Sequence, residues 1–289
     1  MELNVDHKGT EIKLMTYRWE PEQDQEVKGV IFMVHGYGAN AAQMAVVAKY
    51  MAQNGYDVFA VDMRGHGDSE GERGVFLSSD QLYSDLWAFI FESIKKFRIN
   101  QQTTPLFLMG RSFGGLLITN MANTLVGKSM FKGVVLITPY YRLFTERLYE
   151  AYKYLVPLTY VRPNHLFLSE YAEMDPEYYK RYEQIFKDPR NVDGFTATTA
   201  RIWVEEQEVA RKSISETPLP ICFLIATEDG VVRNDYIEEF SGLASHPQNE
   251  CHKVHGADHT DLIFNEHYCS QMIRTIDNFL DKLLTTNNN

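Results

Sequence analysis

Residues 110–115 read GRSFGG and follow directly on the apolar run PLFLM. Serine is a weak nucleophile until an adjacent base takes its proton. A G-x-S-x-G turn between a strand and a helix presents such a serine for attack. Gly110 and Gly114 leave room where strand and helix approach, and Ser112 projects toward the positive end of the following helix. The competing reading is an ordinary glycine-rich turn with Ser112 as its polar link.

Nine histidines compete for the role of base. His7, His165, His246 and His267 lie in polar or helical contexts and read as surface residues, while His252 and His255 fall within a strand-like run. His35 and His66 sit in glycine-rich loops and read as hydrogen-bonded structural residues. His259 differs. It lies in GADHTD, beyond the strand-like CHKVH and before the final helix, where the chain returns to the sheet edge expected to carry Ser112. The third member must orient the imidazole and stabilise its protonated form. In ICFLIATEDGVV the acids are Glu228 and Asp229, and Asp229 is preferred because Gly230 turns the chain directly after it, with Glu228 and Asp235 in reserve. The order Ser112, Asp229, His259 is that of serine hydrolases whose nucleophile sits on a strand-to-helix elbow. Two backbone N–H groups must face the developing oxyanion, and losing one such donor costs roughly 3–4 kcal/mol in the barrier. Phe113, after the serine, and Tyr37, in HGYGAN after an early strand, are the expected donors.

Positioning these groups requires a sheet. Strand candidates are VIFMV (30–34), VFAV (58–61), LFLM (106–109), VVLIT (134–138), ICFLIA (221–226) and CHKVH (251–255), mostly continuous apolar runs suited to parallel strands covered on both faces. Helical periods fill the gaps at 41–55, 78–97, 113–127 and 269–284. Such alternation predicts right-handed crossovers and an α/β fold with a mostly parallel sheet flanked by helices. EIKLMTYRWEP (11–21) is a candidate antiparallel edge. The alternation stops at Pro139 and resumes near Pro218. Between them YRLFTERLYEAYKYL (141–155) has helical spacing, no clear strand follows before 217, and ten of the 17 tyrosines are concentrated there. The expected organisation is a core of residues 1–138 and 217–289, with 139–216 as a mostly helical cap or lid inserted after strand six. The tail TTNNN is expected to fray.

Bulk properties narrow the partners. At 289 residues the chain can bury a large core, and a net charge of −11 argues against nucleic acid or an anionic lipid surface as an electrostatically driven partner. The insertion is nearly balanced, with 11 basic and 13 acidic residues, so peripheral contact of the cap with a membrane remains open. Cys222, Cys251 and Cys269 lack metal-ligand spacing and read as reduced thiols. MELNVDHKGT lacks a secretion-signal pattern and no apolar run approaches a membrane span, so a cytoplasmic location is expected.

HGYG (35–38), DMRGHGDSEG (62–71), GRSFGG (110–115), TEDGVV (227–232) and GADH (256–259) occur in order, and together they resemble the monoglyceride lipase and lysophospholipase group of α/β-hydrolases, the serine aminopeptidase S33-like hydrolases. The resemblance covers about 11–138 and 217–285. It implies an eight-stranded, mostly parallel sheet, a helical cap after strand six, and a triad of Ser112, Asp229 and His259 that works without cofactor or metal, with oxyanion donors at Tyr37 and Phe113. Asp62, Arg64 and His66 in DMRGHG are expected to brace their loop. One departure is Arg111, where this group usually has histidine; another is the cap, which matches no pattern of the group.

The expectation is a serine carboxylic-ester hydrolase for monoacylglycerol- or lysophospholipid-type esters, needing no obligate protein partner. The aromatic and leucine-rich segments of the insertion either line an acyl channel or form the cap's own core. An S33-type aminopeptidase would need an acidic amine site, for which Glu205, Glu206 and Glu208 are available, although WVEEQEVARK reads more simply as a solvated helix. Acyl transfer to an alcohol remains open. Epoxide and haloalkane hydrolysis are disfavoured because they would place Asp at the elbow. A catalytically dead binding protein should have lost a triad member or an oxyanion glycine, and all are present.

Overall fold

The computed structural model describes residues 2–7, 10–23, 25–142, 166–168 and 175–285. The chain opens with an antiparallel ribbon, β1 (Glu2–His7) and β2 (Thr10–Trp19), then runs through β3 (Gly29–Val34), α1 (Ala45–Gln53), β4 (Tyr56–Val61), α2 (Ser79–Phe97), β5 (Leu106–Arg111), α3 (Phe113–Ala122), α4 (Leu125–Met130) and β6 (Gly133–Ile137). It then leaves the sheet. The described part of this excursion holds β7 (Leu166–Leu168), α5 (Pro176–Arg181), α6 (Glu183–Phe186), β8 (Phe195–Thr196) and α7 (Ala197–Ser213). The sheet resumes with β9 (Ile221–Ala226), α8 (Asn234–Leu243) and β10 (Glu250–Val254), followed by α9 (Asp261–Phe264) and α10 (Glu266–Thr285).

Eight strands form one sheet in the order β1-β2-β4-β3-β5-β6-β9-β10. β2 pairs antiparallel with β1 and β4, and every pairing from β4 to β10 is parallel. The central strands have little polar alternation because both their faces are buried. In β5, Leu106 and Leu108 pack on one face with α2 and α3, while Phe107 and Met109 pack on the other with α1 and α10. β6 divides in the same way between Val134, Leu136 and Val135, Ile137. Local signals set the helix ends: the Ser78 side chain accepts the Gln81 N–H at the start of α2, and Gly55, at φ 94°, turns the chain just after α1.

Three expectations need correction. The helix expected over 113–127 ends at Ala122, and Thr124 caps a new one by accepting the Gly127 N–H at 3.0 Å. The segment expected as an antiparallel edge, 11–21, falls largely in β2, which is antiparallel but lies between β1 and β4. The edge is β1, which carries too few apolar residues to stand out in sequence and is held by a register from Glu2↔Met15 to His7↔Thr10. A short β7–β8 pair lies before residue 217, where no strand was expected; segments of three and two residues are too short to show a period. The helix expected over 141–155 lies outside the described residues from 143 onward.

Candidate active site

Ser112 caps α3 with φ 51° and ψ −121°, a region in which a side chain is strained. Its neighbours hold it there. The Ser112 N–H donates to Ile137 O at 2.9 Å, while its carbonyl accepts from Leu116 N at 3.1 Å and Tyr140 N at 3.0 Å. The flanking glycines are sterically required. A Cβ at Gly110 would stand 2.6 Å from Gly114 O, and one at Gly114 would stand 2.3 Å from Val34 O. The sharp turn lifts Ser112 beyond the carboxyl end of β5.

His259 and Asp229 arrive from the two loops that follow β10 and β9. His259 Nδ1 lies 2.7 Å from Asp229 Oδ2, and both side chains are buried. Asp229 Oδ1 accepts the N–H groups of Val231 at 2.8 Å and Val232 at 2.9 Å, which fixes the carboxylate while its second oxygen faces the imidazole. Nδ1–H donation to Asp229 leaves Nε2 as the atom available to a substrate-side proton. The reserve acids lie elsewhere: Glu228 is exposed, and Asp235 pairs with Arg233 at the surface. Arg111 has a definite contact, since its Nη2 donates to the His259 carbonyl at 3.1 Å.

The two loop histidines are structural. His35 Nε2 accepts the Met63 N–H at 2.9 Å, so Nδ1 carries the proton donated to Gly36 O at 2.7 Å. His66 is fully buried, with Nδ1 3.0 Å from Arg64 O, and its ring stacks on Phe76 at 5.2 Å. Burial holds both pKa values down, that of His66 to about 3. Asp62 Oδ1 accepts Ala41 N at 2.7 Å and Oδ2 accepts Asp68 N at 2.9 Å, while Arg64 makes a two-pronged pair with Asp85 at 2.8 and 2.9 Å. DMRGHG is therefore a brace.

Ser112, His259, Tyr37 and Arg111 line one cavity, together with Gln43 and Asn191 and the apolar Ile185, Phe186, Val231 and Phe264. Asp229 lies behind His259. Phe113 is the first residue of α3, where an N–H has no acceptor within the helix, and its ring is buried beneath the insertion. Tyr37 is locked from both sides: its hydroxyl lies 2.8 Å from the carbonyls of Gly74 and Gly194, and its ring meets Trp203 of α7 at 4.9 Å.

The expectation of a solvated helix at WVEEQEVARK fails. Trp203, Val204, Glu206, Gln207 and Ala210 are buried, and Glu206 accepts from Asn120 Nδ2 at 2.7 Å and from the Tyr83 hydroxyl. Glu205 pairs with Arg201, and none of Glu205, Glu206 and Glu208 lines the cavity, whose described lining carries no carboxylate. Sequence reasoning also missed the polar groups around His259, namely Tyr178, Arg181, Tyr182, Asp258 and Asp261. The only trace of them was the pair of acids in GADHTD.

The family model for serine aminopeptidase, S33, matches residues 25–267, most of the chain. The chain belongs to this family. Caffeoylshikimate esterase of Arabidopsis thaliana is 36% identical over 107 residues, which is 36% of this chain and 31% of the esterase. Monoglyceride lipase of Homo sapiens is 32% identical over 124 residues, 42% of this chain and 37% of the lipase. The matches thus span about a third of each relative's length. A soluble variant of monoglyceride lipase from Saccharomyces cerevisiae, in complex with a substrate analog, superposes with a TM-score of 0.81 at 18% identity, covering 97% of this chain and 94% of that one. The fold is that of the α/β-hydrolases. Among the described residues no helix is long and apolar enough to cross a membrane.

Proposed function

We propose that the protein is a serine carboxylic-ester hydrolase that works through an acyl-serine intermediate. In this reading His259 Nε2 takes the Ser112 proton as Oγ attacks the ester carbonyl, and the N–H groups of Tyr37 and Phe113 hold the oxyanion. Collapse of the tetrahedral intermediate breaks the C–O bond to the alcohol, which leaves with the proton from His259. Water then gives a proton to His259 and attacks the acyl carbon. Ser112 recovers its proton as the acid departs. Asp229 stabilises the imidazolium at each protonated stage.

The observation that carries the reading is the 2.7 Å His259–Asp229 contact beside a cavity shared by His259 and the strained Ser112. A lining without described carboxylates favours an ester over a substrate with a free amine, which needs an anionic partner. The relatives include enzymes named for monoglyceride and caffeoylshikimate esters. Ile185, Phe186, Val231 and Phe264 share the lining with the amides of Gln43 and Asn191, a mixed composition suited to an ester with both apolar and polar parts. Monoacylglycerols and lysophospholipids are therefore the proposed substrate class. Residues 139–216 are the proposed cap, the part of the chain through which peripheral contact with a lipid surface would occur.

A fluorophosphonate probe tests the mechanism. It should label the wild-type chain at Ser112, and Ser112→Ala should lower ester turnover by at least about three orders of magnitude. Absence of labelling in folded protein would overturn the reading. A panel of 4-nitrophenyl esters tests the substrate class, and activity confined to the shortest acyl chains would count against lipid esters.

A further inference from the structure

The loop carrying His259 is gripped by α5 and the residue that follows it. The hydroxyl of Tyr182 lies 2.7 Å from Asp261 Oδ1 and 2.9 Å from Asp258 Oδ2. Both acids are buried, one immediately before His259 and the other two residues after it. Asp258 Oδ1 accepts the N–H groups of Thr260 at 2.9 Å and Asp261 at 2.8 Å, and Asp261 Oδ2 accepts the Asp258 N–H at 3.1 Å. The two carboxylates thereby define the turn in which His259 sits.

Two buried carboxylates this close repel unless something bridges them. The phenol proton of Tyr182 is that bridge. Burial, with Asp261 and Asp258 adding to it, pushes the ionisation of Tyr182 up, so it keeps the proton it donates. Arg181 Nη1 also reaches Asp258 Oδ2 at 3.0 Å, but its side chain is 60% exposed and solvent screens it. One turn earlier Tyr178 hydrogen-bonds to Thr260 Oγ1, on the other flank of His259. Tyr178 also lines the cavity, whereas Tyr182 does not.

We propose that Tyr182 is a positioning residue for His259, and that its hydroxyl makes the seating of α5 a condition for the base to be in place. The inference rests on the reading of His259 as the base. It assigns Tyr182 no contact with substrate, so its loss acts on the rate of acylation and not on binding.

The test compares Tyr182→Phe, Tyr182→Phe with Asp261→Asn, and Tyr83→Phe by steady-state turnover of a 4-nitrophenyl ester, rate of fluorophosphonate labelling and thermal melting. Tyr182→Phe should lower kcat about tenfold or more with KM within about twofold, and slow labelling in parallel. In the double variant, Asp261→Asn removes one of the two charges and supplies a side-chain amide N–H that can donate to Asp258, so most of the lost kcat should return. Tyr83→Phe removes the hydroxyl that meets Glu206 of α7 and controls for general loosening of the insertion; its kcat should match wild type. Wild-type kcat in Tyr182→Phe, an equal loss in Tyr83→Phe, or no recovery in the double variant would each overturn the proposal. If Ser112→Ala abolishes turnover in the same assays, such a result removes only the positioning role. Turnover that survives Ser112→Ala would instead bring down the reading of the site.

Discussion

Arg111 Nη2 donates a hydrogen bond of 3.1 Å to the carbonyl oxygen of His259, across 148 residues of sequence. Arg111 immediately precedes Ser112 and is buried at the cavity wall. One guanidinium therefore ties the elbow that presents the serine to the loop that presents the imidazole. In the proposed mechanism, proton transfer from Ser112 to His259 depends on the distance between these two loops.

Replacing Arg111 should accordingly damage catalysis more than folding. A hydrogen bond from a charged donor contributes about 1.5–3 kcal/mol. If that is lost mainly from the transition state, Arg111→Met should lower kcat/KM about ten- to a hundredfold. Arg111→Lys should recover only part of the loss, because an ammonium can donate to the same carbonyl but from a flexible, less pre-organised stem. Ester kinetics on the two variants measure this, and near-wild-type kcat/KM in Arg111→Met would remove Arg111 from the site's architecture.

The contrast between Arg111 and Ser112 shows what was legible in the sequence. Ser112, Asp229 and His259 each follow a strand run or precede a helix, and the parallel α/β order brings such loops to one edge. The partner of Arg111 was not legible, because a side chain's contact with a backbone carbonyl 148 residues away leaves no spacing to read. Glu206 was misread for a related reason. A carboxylate in a charged helix looks solvated until Asn120 and Tyr83 are folded against it. The central strands were found because both faces are apolar. β1 and the β7–β8 pair were missed because the first is largely polar and the others are too short to be periodic.

Gly114 couples stability to the proposed oxyanion site. A Cβ there would lie 2.3 Å from Val34 O and 2.4 Å from His35 O, both backbone atoms that cannot swing away. Gly114→Ala must therefore push α3 from the end of β3, and with it Phe113 from the HGYG loop. A destabilisation of about 3 kcal/mol is expected, at the upper end for overpacking, together with slower fluorophosphonate labelling of the folded fraction. Gly115→Ala should be milder, since its nearest neighbour is Pro139 Cβ at 3.1 Å. Thermal melts of the two variants test the ranking, and equal midpoints would contradict it.

His66 should make the fold acid-sensitive. Burial, reinforced by His35 and Arg73, holds its pKa at about 3, whereas an unfolded histidine titrates at about 6.5. Between these values the unfolded chain binds a proton that the native chain refuses, so stability is full above about pH 6.5 and is lost progressively as pH falls toward 3. From pH 7 to pH 5 this one group should remove about 2 kcal/mol, and His35, also pushed down by burial, acts in the same direction. Urea unfolding at the two pH values measures the loss. His66→Phe keeps a ring to stack on Phe76 and has nothing to titrate, so its difference between the two pH values should be smaller by about that amount. The same pH dependence in wild type and His66→Phe would contradict a neutral, buried His66.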